Sequence, residues 1–202
     1  MAAIFGFQGA IIAVAIAVGC AIMLIAHTLQ KSKSARAAEA AAVHSATALR
    51  PATHSANAEV VHDAGLDFTF DLPEGFHSLP EGSRLAGYAY QFTKSDENTE
   101  GPGPVLLIKR RNEVLPPRHM TAADLPKGKE LSLTTFDWRG LEVDAVRVPE
   151  EALGEPYLTF NVIIPLRKGG VQFGFGDLAN NENVLRERVI QTLATLAGET
   201  NW

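Results

Sequence analysis

The sequence predicts an α+β domain held behind a single N-terminal transmembrane helix. Three observations carry this prediction: a long uncharged apolar run at residues 4–26, alternating apolar and polar residues after residue 63, and a helical apolar pattern near the C-terminus. Alternation with period two marks strands with one buried face, and spacings of three and four mark a helix with one apolar face. The expected architecture is a mostly antiparallel sheet of six or seven strands packed against a C-terminal helix.

The apolar run at residues 4–26 has no charged residue, and Gln8 is its one polar side chain. At about 1.5 Å per residue it is long enough to cross about 30 Å of hydrocarbon. A cleaved signal peptide is the alternative, but such peptides have a shorter apolar region behind a basic start. Residues 1–7 contain neither Lys nor Arg. We therefore expect residues 1–27 to be a single-pass anchor in the lipid bilayer.

Basic residues on one flank of the anchor predict its orientation. Lys31, Lys33 and Arg36 follow the apolar run, and none precedes it. Because flanks rich in Lys and Arg stay on the cytoplasmic side, the C-terminal domain is expected on that side. An extracytoplasmic domain is the alternative.

Small residues recur every fourth position of the predicted anchor, at Gly9, Ala13, Ala17 and Ala21. This spacing places them on one stripe of a helix, where a second membrane helix can approach closely. The alternative is that the stripe only reflects how common Ala and Gly are in such helices. The stripe favours packing against a membrane protein partner.

Residues 28–62 change abruptly to a composition rich in Ala, Ser, Thr and His. No apolar periodicity continues through them, so they are predicted to be a linker, with Pro51 ending any helix in its Ala-rich part. His44, His54 and His62 lie ten and eight residues apart, which matches no compact metal-ligand spacing. We expect no metal site there.

Residues 63–202 are predicted to form the soluble domain. Its first strand places Leu66, Phe68, Phe70 and Leu72 on the buried face. Further strands are predicted at residues 88–92, 105–108, 130–137 and 141–148, the last with a bulge where the apolar positions change phase. The clearest hairpin joins residues 158–166 to residues 171–175 through the turn RKGG.

Two helical elements are predicted in the same domain. Thr121 and Asp124 have the spacing of a short capping box before Pro126. The C-terminal helix begins near Asn180 or Asn181 and ends before Gly198. Its buried stripe consists of Leu185, Val189, Leu193 and Leu196.

Two stretches resemble PsbP-like and DcrB-like domains. The run LDFTFDLPEGF at residues 66–76 is similar to the N-terminal part of those domains. Two long strands followed by a terminal helix, predicted at residues 156–196, are similar to their C-terminal part. Phe76 stands where that group often has Trp, and an uncleaved helix replaces its usual secretion signal or lipid anchor. The resemblance implies a non-enzymatic domain that helps to assemble or stabilise larger complexes, on the extracytoplasmic side.

Composition and motifs narrow the class of function. A net charge of −5 and a pI near 5.7 argue against nucleic-acid binding. Cys20, the one cysteine, lies in the apolar run, and no G-x-S-x-G or phosphate-binding motif opens a helix. The acidic group Glu150, Glu151 and Glu155 is interpreted as solvated loop charge. We predict no enzyme activity, no catalytic residue, no cofactor and no bound metal.

Trp138, at a predicted hairpin turn, and Trp202, at the C-terminus, are candidates for contact with a partner. A hairpin Trp that packs across its own sheet is the alternative for Trp138. Together these features favour a non-catalytic accessory or scaffolding subunit of a membrane protein assembly. A small-ligand or lipid binding module that uses a cavity between sheet and helix is the second interpretation.

Overall fold

The structure of the protein, a computed structural model, describes residues 49–80, 84–94, 101–111 and 119–200. Two antiparallel sheets and one C-terminal α-helix make up these residues, so the predicted α+β class is confirmed. The ten strands are β1 (Val60–Asp63), β2 (Phe68–Asp71), β3 (His77–Ser78), β4 (Tyr90–Thr93), β5 (Val105–Arg111), β6 (Ser132–Trp138), β7 (Leu141–Ala152), β8 (Glu155–Leu166), β9 (Gly169–Leu178) and β10 (Ala197–Gly198). Helix α1 spans Glu182–Thr195.

The larger sheet has the order β3-β4-β5-β9-β8-β7-β6, and the smaller one has the order β1-β2-β10. Six of the predicted strands, β4 to β9, lie in the larger sheet, which β3 completes, whereas the predicted first strand, β2, lies in the smaller sheet with β1 and β10. β3 and β10 contain two residues each, too few for an alternating pattern to be visible in the sequence.

The core lies between α1, the smaller sheet and one face of the larger sheet, which we call the inner face. The predicted helix stripe is buried there, together with aromatic rings from β2, β8 and β9. The rings of Phe70 and Phe173 meet edge to face with their centroids 5.4 Å apart. Such rings bury large apolar areas, so this contact is the centre of the hydrophobic core.

The folded domain begins earlier than the predicted boundary at residue 63. Residues 49–58, here called the strap, are attached to the domain by hydrogen bonds. The Arg50 amide donates to the Arg139 carbonyl at 2.8 Å, and the Thr53 amide donates to the Ala194 carbonyl at 3.0 Å. The Asp71 carboxylate bonds the His54 ring at 2.6 Å. Polar residues in this stretch resembled a linker because their partners are far away in sequence.

β7 has no bulge, in contrast to the prediction. Its register with β6 runs without interruption from Leu141 opposite Trp138 to Arg147 opposite Ser132. The change of apolar phase has another cause, because β7 is buried on both faces. Val143 belongs to the core, whereas Val146 packs on the opposite face.

The predicted hairpin turn and capping box are present, whereas the predicted side-chain cap of the C-terminal helix is not. Arg139 and Gly140 connect β6 to β7 with φ values of 55° and 101°, as a two-residue type I′ turn requires. The Thr121–Asp124 capping box is present before a single 3-10 turn, Ala122–Asp124. Asn181 precedes α1 but makes no side-chain cap, and its amide nitrogen donates to Asp177 Oδ1 at 3.1 Å.

Candidate functional site

The candidate site lies on the outer face of the larger sheet, the face that points away from α1. Alternation along β8 directs Leu158, Phe160 and Val162 into the core and directs the residues between them outward. Two small apolar groups flank this outer face. One contains Val146, Val148 and Ile163 under the segment 120–133, and the other contains Val105, Leu107, Ala152 and Tyr157.

Between these apolar groups lie four polar side chains with buried atoms that have no hydrogen-bond partner among the protein's own groups. They are Glu150 on β7, Thr159 and Asn161 on β8, and Gln172 on β9, here called the polar diagonal. Thr159, Asn161 and Gln172 are each 0% exposed. A buried polar group without a partner costs about 1–3 kcal/mol. Within the polar diagonal these atoms therefore depend on ordered water or another molecule for their hydrogen bonds.

The register of the strands explains why these groups have no partner. Asn161 lies opposite Val146 on one side and Gly174 on the other. Thr159 likewise lies between Val148 and Gly176. Directly opposite residues are the ones that a short side chain can reach, and here each one is apolar or lacks a side chain. Thr159 and Asn161 therefore find no partner directly across on the neighbouring strands, whereas Gln172 lies opposite Lys109 and Ile163 and its side-chain amide still has no partner within the chain.

Tyr157 closes one end of the outer face. Its ring lies so close to Gly176 that a Cβ there would come within 2.7 Å of the Tyr157 hydroxyl oxygen. The hydroxyl donates to the Gly103 carbonyl at 3.0 Å, and burial raises its pKa well above the usual value. Glycine at position 176 is thus required by the ring above it. The FGFGD segment, residues 173–177, is therefore part of strand β9.

Glu150 lies beside Tyr157 in the strand register, and its Oε2 atom is enclosed without a partner. Burial raises the pKa of Glu150 from 4.5 to about 7, although the positive charge of Lys129 acts in the opposite direction. The prediction that Glu150, Glu151 and Glu155 are solvated loop charge is therefore wrong for Glu150, since the two long strands extend further than their apolar pattern. Glu151 and Glu155 are exposed.

Other buried polar side chains of the larger sheet do have partners. Gln91 on β4 is 4% exposed, and its side-chain amide group bonds both the amide and the carbonyl of Leu85, at 2.8 and 2.7 Å. The Thr93 hydroxyl donates to the Pro104 carbonyl at 3.1 Å. Asp177 accepts from Arg188 at 3.1 Å. The fold can therefore satisfy buried polar groups, which makes the polar diagonal an exception.

The predicted contact residues lie elsewhere. Trp138 is 0% exposed and its indole nitrogen donates to the Leu196 carbonyl at 2.9 Å, so it packs in its own core as the alternative interpretation held. It presents no surface to a partner. Trp202 and the predicted helix-packing residues Gly9, Ala13, Ala17 and Ala21 lie outside the described residues.

Two further features concern membrane and metal. Within the described ranges, no helix combines the length and apolar character needed to cross a bilayer. The predicted span at residues 4–26 lies outside those ranges. The described part of the chain also contains no group of three or more His, Cys, Asp or Glu side chains that could hold a metal ion.

The polar diagonal was not predicted from the sequence. Outward-facing Thr159 and Asn161 look like ordinary solvent-facing residues of an alternating strand. The visible signal was the pair Gly174 and Gly176 opposite them, because outward glycines on a central strand mark a place where something lies close to the backbone.

Several solved structures are similar to this chain at low sequence identity. The Ran-binding protein Mog1p of Saccharomyces cerevisiae has 11% identity and a TM-score of 0.49, over 72% of this chain and 97% of that one. Cyanobacterial PsbP from Synechocystis has 11% identity and a TM-score of 0.41, over 75% and 98%. A Bacteroides thetaiotaomicron protein has 10% identity and a TM-score of 0.44, over 71% of this chain and 49% of that chain, so this chain spans about half of its length.

No protein-family model matches the sequence, and no curated protein matches it. The fold class therefore rests on the strand order and the helix described above.

Proposed function

We propose that this chain is a single-pass, membrane-anchored accessory subunit of a membrane protein assembly, and that a polar part of a partner replaces the chain's own cover over the outer face of the larger sheet, where Thr159, Asn161 and Gln172 are 0% exposed in the free chain. The observation that carries the proposal is the polar diagonal. Proteins seldom keep several unsatisfied buried groups together unless another molecule or ordered water completes them. The role itself is one of recognition rather than chemistry.

The chemistry of the polar diagonal suits an uncharged hydrogen-bonding partner. Asn161 and Gln172 each offer an unpartnered oxygen and an unpartnered nitrogen, so each can both accept and donate. Thr159 adds a hydroxyl group. Glu150 can donate when it is protonated and accept when it is ionised. Peptide amides and hydroxyl groups match such a set, because they also donate and accept.

The sequence predicts the membrane anchor, and the hydrogen bonds of the strap explain how the chain is attached to the domain after that anchor. The apolar run at residues 4–26 holds the chain in the bilayer, and the bonds of Arg50 and Thr53 fix the point at which the chain enters the domain. A domain attached in this way is kept at the membrane surface, where a membrane protein partner is available at high effective concentration.

The test compares the proteins that co-purify with the full-length chain and with its variants in mild detergent. The double substitution Asn161→Leu and Gln172→Leu removes four of the six unpartnered atoms while it keeps the size of the side chains similar. We expect this variant to remain folded and membrane-bound but to lose its stoichiometric companions. A variant without residues 1–27 tests the anchor separately, because it should leave the membrane fraction.

Two results would count against the proposal. If the double variant keeps the same companions as the wild type, the polar diagonal is not the docking surface. If the full-length protein purifies alone, the accessory role loses its support. The matched control is Glu151→Gln on the exposed side of the same strand end, which should change neither membrane association nor companions.

A second candidate function is a small-ligand or lipid binding module. The polar diagonal also favours this function, since a small polar molecule could satisfy the same atoms. Between sheet and helix, where a cavity was predicted for such a module, Phe160 and Phe173 pack with Leu185. A ligand site would therefore lie on the outer face. A small molecule that stays with the purified protein and is absent from the double variant would favour this second function.

A further inference from the structure

Residues 119–131, here called the cover, lie along the outer face of β7. At one end of the cover the Met120 amide donates to the Asp144 carboxylate, and near the other end the positive charge of Lys129 acts on Glu150. Asp144 and Glu150 are six residues apart on the same face of β7, a distance of about 20 Å. Between these two ends, three apolar side chains of the cover pack on three of the sheet: Met120, Leu125 and Leu131 on Val146, Val148 and Ile163.

The cover lies beside the polar diagonal. Val146 and Val148, on which the cover packs, are directly opposite Asn161 and Thr159 in the strand register. Both of these polar side chains are 0% exposed, and both have enclosed atoms without a partner in the chain. A molecule that bonds the polar diagonal must therefore displace groups of the chain that lie over the outer face, and the cover is a described segment in that position.

A buried carboxylate fastens the cover to the sheet. Asp144 is 8% exposed, and besides the Met120 amide it bonds the His119 ring at 3.0 Å. Within the part of the chain that the structure describes, the backbone-to-backbone hydrogen bonds of the cover link its own residues to one another and not to a strand. The strap differs, because it donates two backbone amides to carbonyls of the domain. The cover thus depends on side chains where the strap uses its main chain.

The cover has internal structure of its own, and its contacts with the sheet are few. Thr121 donates its amide and its hydroxyl to the Asp124 carboxylate, at 2.8 and 2.9 Å, so the 3-10 turn is held without the sheet. Residues 127–130 are exposed, and the apolar side chains that pack on the sheet are only half-buried. Segments with few buried apolar contacts open at a lower free energy than the strands they lie on. Separation of the cover from β7 would leave the ladders of the sheet intact.

We propose that the cover is a lid, held closed by Asp144, that moves away from β7 to admit the partner to the polar diagonal. The inference rests on the proposed function for the identity of the incoming molecule, whereas the movement itself needs no partner. A closed lid keeps the polar diagonal enclosed in the free protein. The apparent affinity for the partner is then reduced by the fraction of molecules in which the lid is closed, so the Asp144 bonds set how readily the partner docks.

The test measures how fast N-ethylmaleimide reaches a thiol beneath the cover in the full-length protein in detergent micelles. Cys20→Ser removes the native thiol. In that background Val148→Cys places a thiol under the cover, and Val143→Cys places one in the core on the other face of the same strand. Each rate is divided by the rate of the same variant in denaturant. We expect labelling at position 148 to be at least about tenfold faster than at position 143, because the lid opens without global unfolding.

Removal of the latch should accelerate this opening. Asp144→Ala should speed labelling at position 148 by about tenfold to a hundredfold, because hydrogen bonds to a charged group are of that strength. If Asp144→Ala does not fold, Asp144→Asn keeps the shape but not the charge and should give an increase of about threefold to tenfold. Glu142→Ala is the matched control, since Glu142 is exposed on the same face of β7, and it should leave the rate unchanged.

Equal labelling at positions 148 and 143 in the otherwise wild-type chain would overturn the lid, because the thiol under the cover would then react only through global unfolding. An unchanged rate at position 148 in the latch variants would overturn the role of Asp144. Asp144→Ala should also keep the companions of the full-length protein, and their loss would overturn the admission of a partner by the lid.

The outcomes for the lid and for the proposed function can be told apart, because thiol labelling requires no companion. A lid that opens in a protein that purifies alone would support the movement and count against the accessory role. Companions that are lost with Asn161→Leu and Gln172→Leu, in a protein without local opening at position 148, would support the docking surface and overturn the lid.

Discussion

The two faces of the larger sheet follow different rules. On the inner face, Phe160, Phe173 and Phe175 are each 0% exposed and pack against rings and aliphatic side chains. On the outer face of the same strands, Asn161 and Gln172 are equally buried, yet their polar atoms have no partner. The inner-face residues have their contacts within the chain, whereas Asn161 and Gln172 leave polar atoms that water or another molecule must complete.

This difference separates stability from recognition. A residue that contributes to stability has its contacts within the chain, as the Phe70–Phe173 pair does. A residue kept for recognition can be unfavourable in the free protein and be satisfied only in a complex. Substitutions on the inner face should therefore destabilise the protein, and apolar substitutions of the polar diagonal should not.

The largest expected effect is on the inner face. Phe173→Ala removes a fully buried ring that contacts Phe68, Phe70 and Phe175, and it should lower the free energy of unfolding by about 3–5 kcal/mol. Chemical denaturation in detergent, followed by tryptophan fluorescence, measures this change. A loss below about 1 kcal/mol would contradict the assignment of the inner face as the core.

Gln91 and Gln172 differ in whether their buried side chains have hydrogen-bond partners within the chain. Gln91→Leu removes two hydrogen bonds to Leu85 and leaves backbone groups unpaired, so it should cost about 2–3 kcal/mol. Gln172→Leu removes two unpartnered atoms and should be neutral or stabilising by about 1 kcal/mol. Both side chains are buried in the same sheet, so denaturant midpoints of the two variants can be compared directly. Equal destabilisation would show that Gln172 has a partner in the free protein.

The sequence predicted the inner face well because that face is periodic. Leu158, Phe160 and Val162 alternate with polar residues, and burial of one face is what such a pattern means. The helix stripe was found for the same reason. β3 and β10 have two residues each and leave no period to detect. The strap depends on distant partners such as Ala194, which no local pattern reveals.

The outer face could not be predicted in the same way. Asn161 in an alternating strand has the same sequence pattern whether its side chain meets water or is buried. Its burial and lack of a partner depend on Val146 and Gly174, which the strand order places beside it. Trp138 is the opposite case. Its position near a turn suggested contact with a partner, but its side chain is buried.

Glu150 should make the outer face sensitive to pH. Because burial raises its pKa from 4.5 to about 7, the folded protein keeps a proton that the unfolded chain has released between these values. The free energy of unfolding should therefore fall as the pH rises from 4.5 to about 7. Above that pH, Glu150 should cause no further change. The expected loss is about 1–2 kcal/mol, allowing for partial exposure of the side chain.

Glu150→Gln should remove this part of the pH dependence, and unfolding curves at pH 5 and pH 8 test it. Glu151→Gln, at the exposed neighbouring position, should leave the dependence of the wild type unchanged. If Glu150→Gln shows the same fall as the wild type, another group is responsible and Glu150 does not titrate in this range.

The smallest expected effect separates two threonines of the larger sheet. Thr93→Val removes a hydroxyl that donates to the Pro104 carbonyl and should cost about 0.5–1.5 kcal/mol. Thr159→Val removes a hydroxyl without a partner and should stabilise the protein by up to about 1 kcal/mol. Both replacements are β-branched, so strand propensity stays nearly constant. Opposite signs in thermal unfolding would show that the free protein leaves the Thr159 hydroxyl without a partner, whereas two losses of equal size would place an ordered water or another partner at Thr159.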